Sequence, residues 1–191
     1  MRKFIGLALT VLLLACNNKP VDSVDSPQVD SLRRIIDSDT IDAVDKLRPR
    51  QELENILKNR PGTKAADFEM LLSDESRTSF YDWLEQDGRM AVMAFYSPEC
   101  NECHSQLMAL DSGIAQVSKN VRVLAVDILP DLPQWRRTLD DLPSEWTIAY
   151  AGHVTDDDTY IISSTPTLYL LHPDGTVALK EATVDEILEW H

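Results

Sequence analysis

The sequence predicts an α/β fold: a mixed central sheet flanked by helices, preceded by a helical and disordered N-terminal extension. Three observations predict it. From Lys64 onward, short apolar runs rich in β-branched residues alternate with amphipathic helical stretches. The last two runs are joined by His172-Pro173-Asp174-Gly175, a turn signal of an antiparallel hairpin, so the sheet is not all parallel. The chain has 191 residues, 43% hydrophobic and 26% charged, enough for one such domain with length to spare and too little for a second large one.

Residues 1–15 read as a leader. Arg2 and Lys3 form a basic n-region, and residues 4–14 are an apolar stretch shorter than the ~20 helical residues a bilayer crossing needs. Its end, Leu13-Leu14-Ala15-Cys16, resembles the lipobox of bacterial lipoproteins, which implies cleavage after small Ala15 and lipid attachment at Cys16. The alternative is an ordinary signal peptide with an incidental cysteine. Residues 16–30, with the near repeats Val21-Asp22-Ser23 and Val24-Asp25-Ser26, read as a solvated tether. Arg2 and Lys3 are the only charges before Cys16, so processing takes the formal charge from −14 to −16. Such a surface repels nucleic acid and anionic membrane faces.

The extension, 31–60, reads as three short helical stretches. Ser26-Pro27 starts one with Leu32, Ile35 and Ile36 on a face; Thr40 caps a second carrying Ile41, Val44 and Leu47; Pro49 and Pro61-Gly62 bracket a third with Leu53, Ile56 and Leu57. These stripes are packing surfaces, and no chemistry is assigned to residues 17–60. In the domain, 61–191, strands are expected at 68–72, 90–96, 121–128, 146–150, 167–172 and 176–180, and helices at 79–85, 103–118, 132–139 and 183–190.

The chain has three cysteines. With Cys16 assigned to processing, Cys100 and Cys103 remain as one C-x-x-C dithiol, which reads as redox chemistry and not as a disulfide framework. The buried run Met90 to Tyr96 leads through Ser97-Pro98-Glu99 to Cys100, which opens a helix with Leu107, Leu110, Ile114 and Val117 on its apolar face. A thiol at a helix N-terminus meets free N–H groups and the positive end of the dipole, both of which favour thiolate. Cys103 follows closely enough to attack a mixed disulfide formed at Cys100. Cys100 is therefore the attacking sulfur and Cys103 the resolving one.

Over roughly residues 61–191 the chain resembles the thioredoxin-like superfamily, and more closely the membrane-tethered thiol-disulfide oxidoreductases of bacterial envelopes. The resemblance rests on Phe95-Tyr96-Ser97-Pro98-Glu99-Cys100-Asn101-Glu102-Cys103 and on Ser164-Thr165-Pro166-Thr167-Leu168-Tyr169-Leu170-Leu171, with the segment Pro61 to Phe68 similar to the start of the envelope members' domain. It implies that Pro166 is a cis-proline beside the dithiol, that Thr165 and Tyr96 contact substrate, and that no cofactor is needed. It also implies envelope protein substrates, a membrane redox partner, and a lipid-anchored, periplasm-facing location.

Several residues depart from that pattern. The buried acid that thioredoxin carries six residues before its first active-site cysteine is Ala94 here, and the glutamate that some tethered relatives place three residues after the second is Gln106. The tryptophan often found before the first cysteine is Glu99, and the intervening dipeptide is Asn101-Glu102. Both glutamates oppose thiolate formation and leave the disulfide favoured, which predicts a reducing couple. Asp127, near a strand end, is the one carboxylate placed to replace the missing acid; the competing expectation is a solvated strand-end aspartate.

Other readings stay open at this point. Cys100 to His104 also matches C-x-x-C-H, the attachment signature of c-type haem, with His104 as proximal ligand and Met108 or Met93 as distal. A zinc half-site would lack a second cysteine pair, since His153, His172 and His191 have no ligand spacing, and a purely structural disulfide would close too small a loop to stabilise much. A thioredoxin-fold binding module without turnover is the non-enzymatic alternative. Trp83, Trp135, Trp146 and Trp190 read as packing anchors, and Asp156-Asp157-Asp158 as a solvated loop without calcium-ligand spacing.

Overall fold

The computed structural model describes residues 26–117, 119–156 and 159–190. The leader, Cys16 and the tether up to residue 25, together with Asp157, Asp158 and His191, lie outside the described residues.

Helix α1 (Pro27–Asp37) is capped by the buried Ser26 side chain, which accepts from the Val29 N–H, and has Pro27 at its first position. It begins ahead of the 30/31 boundary and buries Val29 and Leu32. Its neighbour α2 spans Leu47–Leu57. Here the expected layout is corrected. No helix is capped by Thr40; residues 39–46 form turns, and Pro49 sits inside the first turn of α2 instead of bounding it. A proline is tolerated there because first-turn N–H groups have no intrahelical acceptor. Val44 and Leu47 are 75% and 60% exposed, so the stripe expected to pack does not. The end of α2 is tied down by Lys180 Nζ, which donates to the Asn55 and Lys58 carbonyls.

The domain is a seven-stranded sheet. Its strands are β1 (Glu69–Leu72), β2 (Arg77–Ser79), β3 (Met90–Tyr96), β4 (Val121–Asp127), β5 (Thr147–Tyr150), β6 (Thr167–Leu171) and β7 (Val177–Leu179). Their order is β2-β1-β5-β4-β3-β6-β7. The central β3, β4 and β5 are parallel; β6 runs antiparallel to β3, β7 to β6, and β1 to β5. The sheet is mixed, as the terminal hairpin signal required. At the turn of that hairpin Gly175 adopts φ 82°, and Lys64 forms an ion pair with Asp174 at 2.9 Å. Segment 62–65 hydrogen-bonds along β7 and its turn and so covers that edge. Strand β2 was not expected from sequence. It pairs with β1 through a turn in which Glu75 adopts φ 67° without a glycine, held by Asp74 accepting from the Ser76 N–H.

The uninterrupted apolar runs of β3 and β4 are explained by burial on both faces. One face packs Met93, Phe95, Leu124 and Val126 against Phe68, Phe80, Trp83, Tyr160 and Tyr169. That side is covered by α3 (Phe80–Leu84) and by Ala151, Val154, Tyr160 and Ile162 from the chain between β5 and β6. The other packs Val92, Ala94, Tyr96, Val123 and Ala125 under α4 (Asn101–Gln116), α5 (Leu132–Arg137) and α6 (Val184–Glu189), through Cys103, Leu107, Leu110, Trp135 and Ile187. Trp83, Trp135 and Trp146 are buried and Trp190 half-buried, as packing anchors. Val117, expected on the apolar face of α4, is 53% exposed at the helix end.

Candidate active site

Strand β3 delivers the dithiol. It ends at Tyr96, the chain turns through 97–99, and Cys100 becomes the N-cap of α4. Its Sγ accepts from the Cys103 backbone N–H at 3.0 Å, the capping position in which a thiolate would be held by the same donor. The two cysteines form a disulfide with Cα atoms 5.2 Å apart. Cys103 is buried (1% exposed), whereas Cys100 is partly open. Cys100 is thus the accessible sulfur of the pair and Cys103 the covered one.

The cis peptide Thr165–Pro166 brings the loop before β6 against this pair, with the Thr165 carbonyl oxygen 3.7 Å from Cys100 Sγ. Thr167 fixes the loop by donating its hydroxyl to the Ser164 carbonyl. On the other side of Cys100 lies a groove of ≈ 460 Å³, lined by Tyr96, Ser97, Pro98, Asn101, His104 and Asp141 among others. Thr165 thus lies at the disulfide, while Tyr96 lies on the floor of the groove. Glu99 and Glu102 are exposed at the rim, where they accept from Gln134 and Gln106.

Asp127 is not the solvated strand-end aspartate. It is fully buried, paired in register with Tyr96 on β3 and Tyr150 on β5. Its Oδ1 accepts from the Leu129 N–H at 2.9 Å, and its Oδ2 has no hydrogen-bond partner. Burial pushes its carboxyl up to about 6, against the lowering effect of the Leu129 bond, with Asp131 adding to the rise. Burial, then Asp127 and Asp141, push the Tyr96 phenol well above its ordinary value. The Tyr96 hydroxyl and Trp135 Nε1 are buried without partners as well. From sequence, Asp127 is named as a replacement acid, Tyr96 as a substrate contact and Trp135 as a packing anchor; that Tyr96 pairs with Asp127 depends on a strand register that one sequence does not disclose.

The haem ligand set is not assembled. Met93 packs on the opposite face of the sheet from Cys103, and Met108 lies on the same helix as His104. Among the described residues no group of three or more His, Cys, Asp or Glu can hold a metal ion, and no helix is long and apolar enough to cross a membrane.

A helix-capping C-x-x-C disulfide beside a cis-proline loop, on a sheet of this order, defines the thioredoxin-like class. The fold is thioredoxin-like, and the chain resembles bacterial thiol-disulfide oxidoreductases that share it. It is similar to a thioredoxin-like protein from Bacteroides caccae at 29% identity and a TM-score of 0.76, covering 86% of this chain and 63% of that one. The chain thus spans less than two thirds of that protein's length. The C-terminal domain of an uncharacterized protein from Bacteroides fragilis is similar at 27% identity and a TM-score of 0.62, with 69% of this chain and 96% of that one covered. The thioredoxin domain of a thiol-disulfide oxidoreductase from Bacteroides vulgatus shares the fold at 19% identity and a TM-score of 0.57, covering 67% and 92%. No protein-family model matches the chain, and no curated protein matches it.

Proposed function

We propose that this protein is a membrane-anchored thiol-disulfide oxidoreductase that reduces protein disulfides of the bacterial envelope through Cys100 and Cys103. The observation that carries the reading is the asymmetric pair: an accessible Cys100 sulfur held at a helix N-terminus, a buried Cys103 directly behind it, and the Thr165 carbonyl beside the first. In the reducing direction the Cys100 thiolate attacks a substrate disulfide, forming Cys100–S–S–substrate and releasing one substrate thiolate, which takes a proton. Cys103 then loses its proton and attacks Cys100 Sγ. The Cys100–Cys103 bond forms, the bond to substrate breaks, and the electron pair leaves on the second substrate sulfur. The dithiol gives up two electrons and the substrate disulfide gains them. An extended substrate segment would lie along the cis-proline loop and use its backbone groups.

The reducing direction rests on Glu99 and Glu102 at the rim. The anchor, through Cys16, and the periplasm-facing location rest on the leader and lipobox pattern. A membrane redox partner would recycle the disulfide, and the acidic surface argues against nucleic acid.

Replacing Cys103 with Ser tests the reading. The variant is expected to accumulate envelope proteins as mixed disulfides through Cys100, released by dithiothreitol and absent when Cys100 is also replaced. A non-turnover binding module would hold partners equally well with and without the substitution, and that result would overturn the proposal.

A further inference from the structure

Resting on the exchange chemistry just proposed, we infer that Asp127 is the proton acceptor for Cys103, reached through the hydroxyl of Tyr96, in place of the acid that Ala94 lacks.

The placement follows from register. Along β3 the residues facing α4 are Val92, Ala94 and Tyr96, and Cys103 packs in the same cluster. Along β4 the residues facing it are Val123 and Ala125, so the two-residue period puts Asp127 on that face too. Ala94 pairs with Ala125, a floor that offers Cys103 no proton acceptor. One step further toward the dithiol end, Tyr96 pairs with Asp127 and Asp127 with Tyr150. The ring of Trp135, from α5, lies 5.7 Å from that of Tyr150 and brings a third buried polar atom to the same side.

Buried polar atoms are normally hydrogen-bonded. That Tyr96 Oη, Asp127 Oδ2 and Trp135 Nε1 all lack a protein partner in one region of the sheet is out of keeping with a structural role. Two donors and a carboxylate acceptor there can hold a bridging water and pass a proton. The phenol is kept protonated, so through bridging water it can donate to the carboxylate and accept from a thiol. The charged and titratable groups around Asp127 are Tyr96 from β3, Tyr150 from β5 and Asp131 at the cap of α5; Asp141 adds its charge near Tyr96. All are acidic or phenolic, and none of them offers a cation that would hold the carboxylate ionised. The groove beside Cys100, lined by Tyr96, His104 and Asp141, reaches this region at Tyr96.

In the resolving step the Cys103 S–H proton passes by way of the Tyr96 hydroxyl and bridging water to the Asp127 carboxylate. The Cys103 sulfur attacks Cys100 Sγ, the bond from Cys100 to substrate breaks, and the leaving substrate thiolate takes up a proton that Asp127 returns through the groove. The substrate disulfide is the oxidant, and no other redox reagent is consumed.

Asp127 and Tyr96 are positioning residues in this scheme, acting on Cys103. The test follows mixed-disulfide formation and decay with oxidised glutathione by rapid acid quench and mass spectrometry from pH 5 to 9. The full chain is used with Cys16→Ser, so that two thiols remain. In Asp127→Asn, resolution of the Cys100–glutathione species is expected to slow about 100-fold at pH 7, the low end of general-base effects. The deficit should shrink as pH approaches 9, where most of the thiol ionises unaided, and attack by Cys100 should change less than about threefold. Asp127→Glu should recover part of the rate, and Tyr96→Phe, which keeps the ring packing, should show the same selective slowing. Resolution rates within twofold of wild type at every pH in Asp127→Asn would overturn the assignment. An unaltered rate in Tyr96→Phe would overturn the relay. A wild-type chain that forms no mixed disulfide would instead overturn the oxidoreductase reading on which this one rests.

Discussion

If Asp127 is held without compensation in a buried site, removing its charge should stabilise the fold while impairing the chemistry. The magnitude follows from the displacement of its carboxyl from 3.8 to about 6 by burial. At 1.36 kcal/mol per unit, a displacement of about two units corresponds to ~3 kcal/mol. The sign is fixed by linkage: between those values the folded state binds more protons than the unfolded one, so stability falls as pH rises. The carboxyl is neutral in both states well below 3.8, carries the full penalty above about 6, and accumulates it in between. Asparagine keeps an oxygen able to accept from the Leu129 N–H, which leaves the local turn intact. Urea denaturation of the disulfide form of wild type and Asp127→Asn at pH 4, 5, 6 and 7 measures the effect. The two curves should differ by less than ~1 kcal/mol at pH 4 and separate to ~3 kcal/mol in favour of the variant at pH 7. The difference is the informative quantity. Asp74, Asp87 and Asp174, held below the ordinary carboxylate range by their hydrogen bonds, lose their contributions only at lower pH and cancel between the two proteins. A variant no more stable than wild type at pH 7, or a separation that narrows as pH rises, would refute the reasoning.

Other expectations are checked by single measurements. Glu99→Gln with Glu102→Gln removes two charges at the rim of the dithiol and should make the couple more oxidising in a glutathione titration; the wild type should lie well below the strong periplasmic oxidants, at about −120 mV. Asn59→Ala removes donation to the Thr159 carbonyl at 3.0 Å and strands the Ala66 N–H that Asn59 Oδ1 accepts from at 2.8 Å. It should cost about 2–3 kcal/mol in urea, and an unchanged midpoint would show that water replaces both bonds. Gly175→Ala forces a Cβ onto a positive φ and to within 2.5 Å of the Tyr81 ring, so thermal unfolding should come several degrees lower.

The domain was legible where a signal is local. Apolar runs marked six strands within a residue or two, and the Asp174-Gly175 turn gave the antiparallel edge. The cysteine and Thr165-Pro166 motifs placed the two halves of the site that meet at 3.7 Å. What was not legible depended on partners distant in sequence. Strand β2 is closed by a glutamate in a left-handed conformation, and only the Asp74–Ser76 hydrogen bonds and the β1 pairing explain it. Thr40 has the chemistry of a cap, yet its hydroxyl partners Ser38 and no helix follows. Asp127 shows the same dependence most sharply. A strand-end aspartate is ordinarily solvated, and only the covering helix and the neighbouring strands make it buried.

The same geometry would let the proposed chemistry run without an acid at position 94. A carboxylate at position 94 would stand between Ala125 and Leu168 in an apolar cluster, with Cys103 above it. Alanine there lets α4 seat on the sheet with Leu107 and Leu110 fully buried. Moving the acid one strand over and one pair along, to Asp127, takes it out of that contact. It reaches the end of the parallel pair, where β3 leaves the sheet toward Cys100 and a groove opens to solvent. The cost is that the carboxylate no longer faces Cys103 across the strand and needs an intermediary. Tyr96, which lines the groove and shares a cluster with Cys103, is the polar side chain that the register pairs with Asp127. On this account, Ala94, Tyr96 and Asp127 are one arrangement: substituting the acid alone leaves a tyrosine hydroxyl buried without purpose, and removing the hydroxyl alone isolates an acid already held at a stability cost.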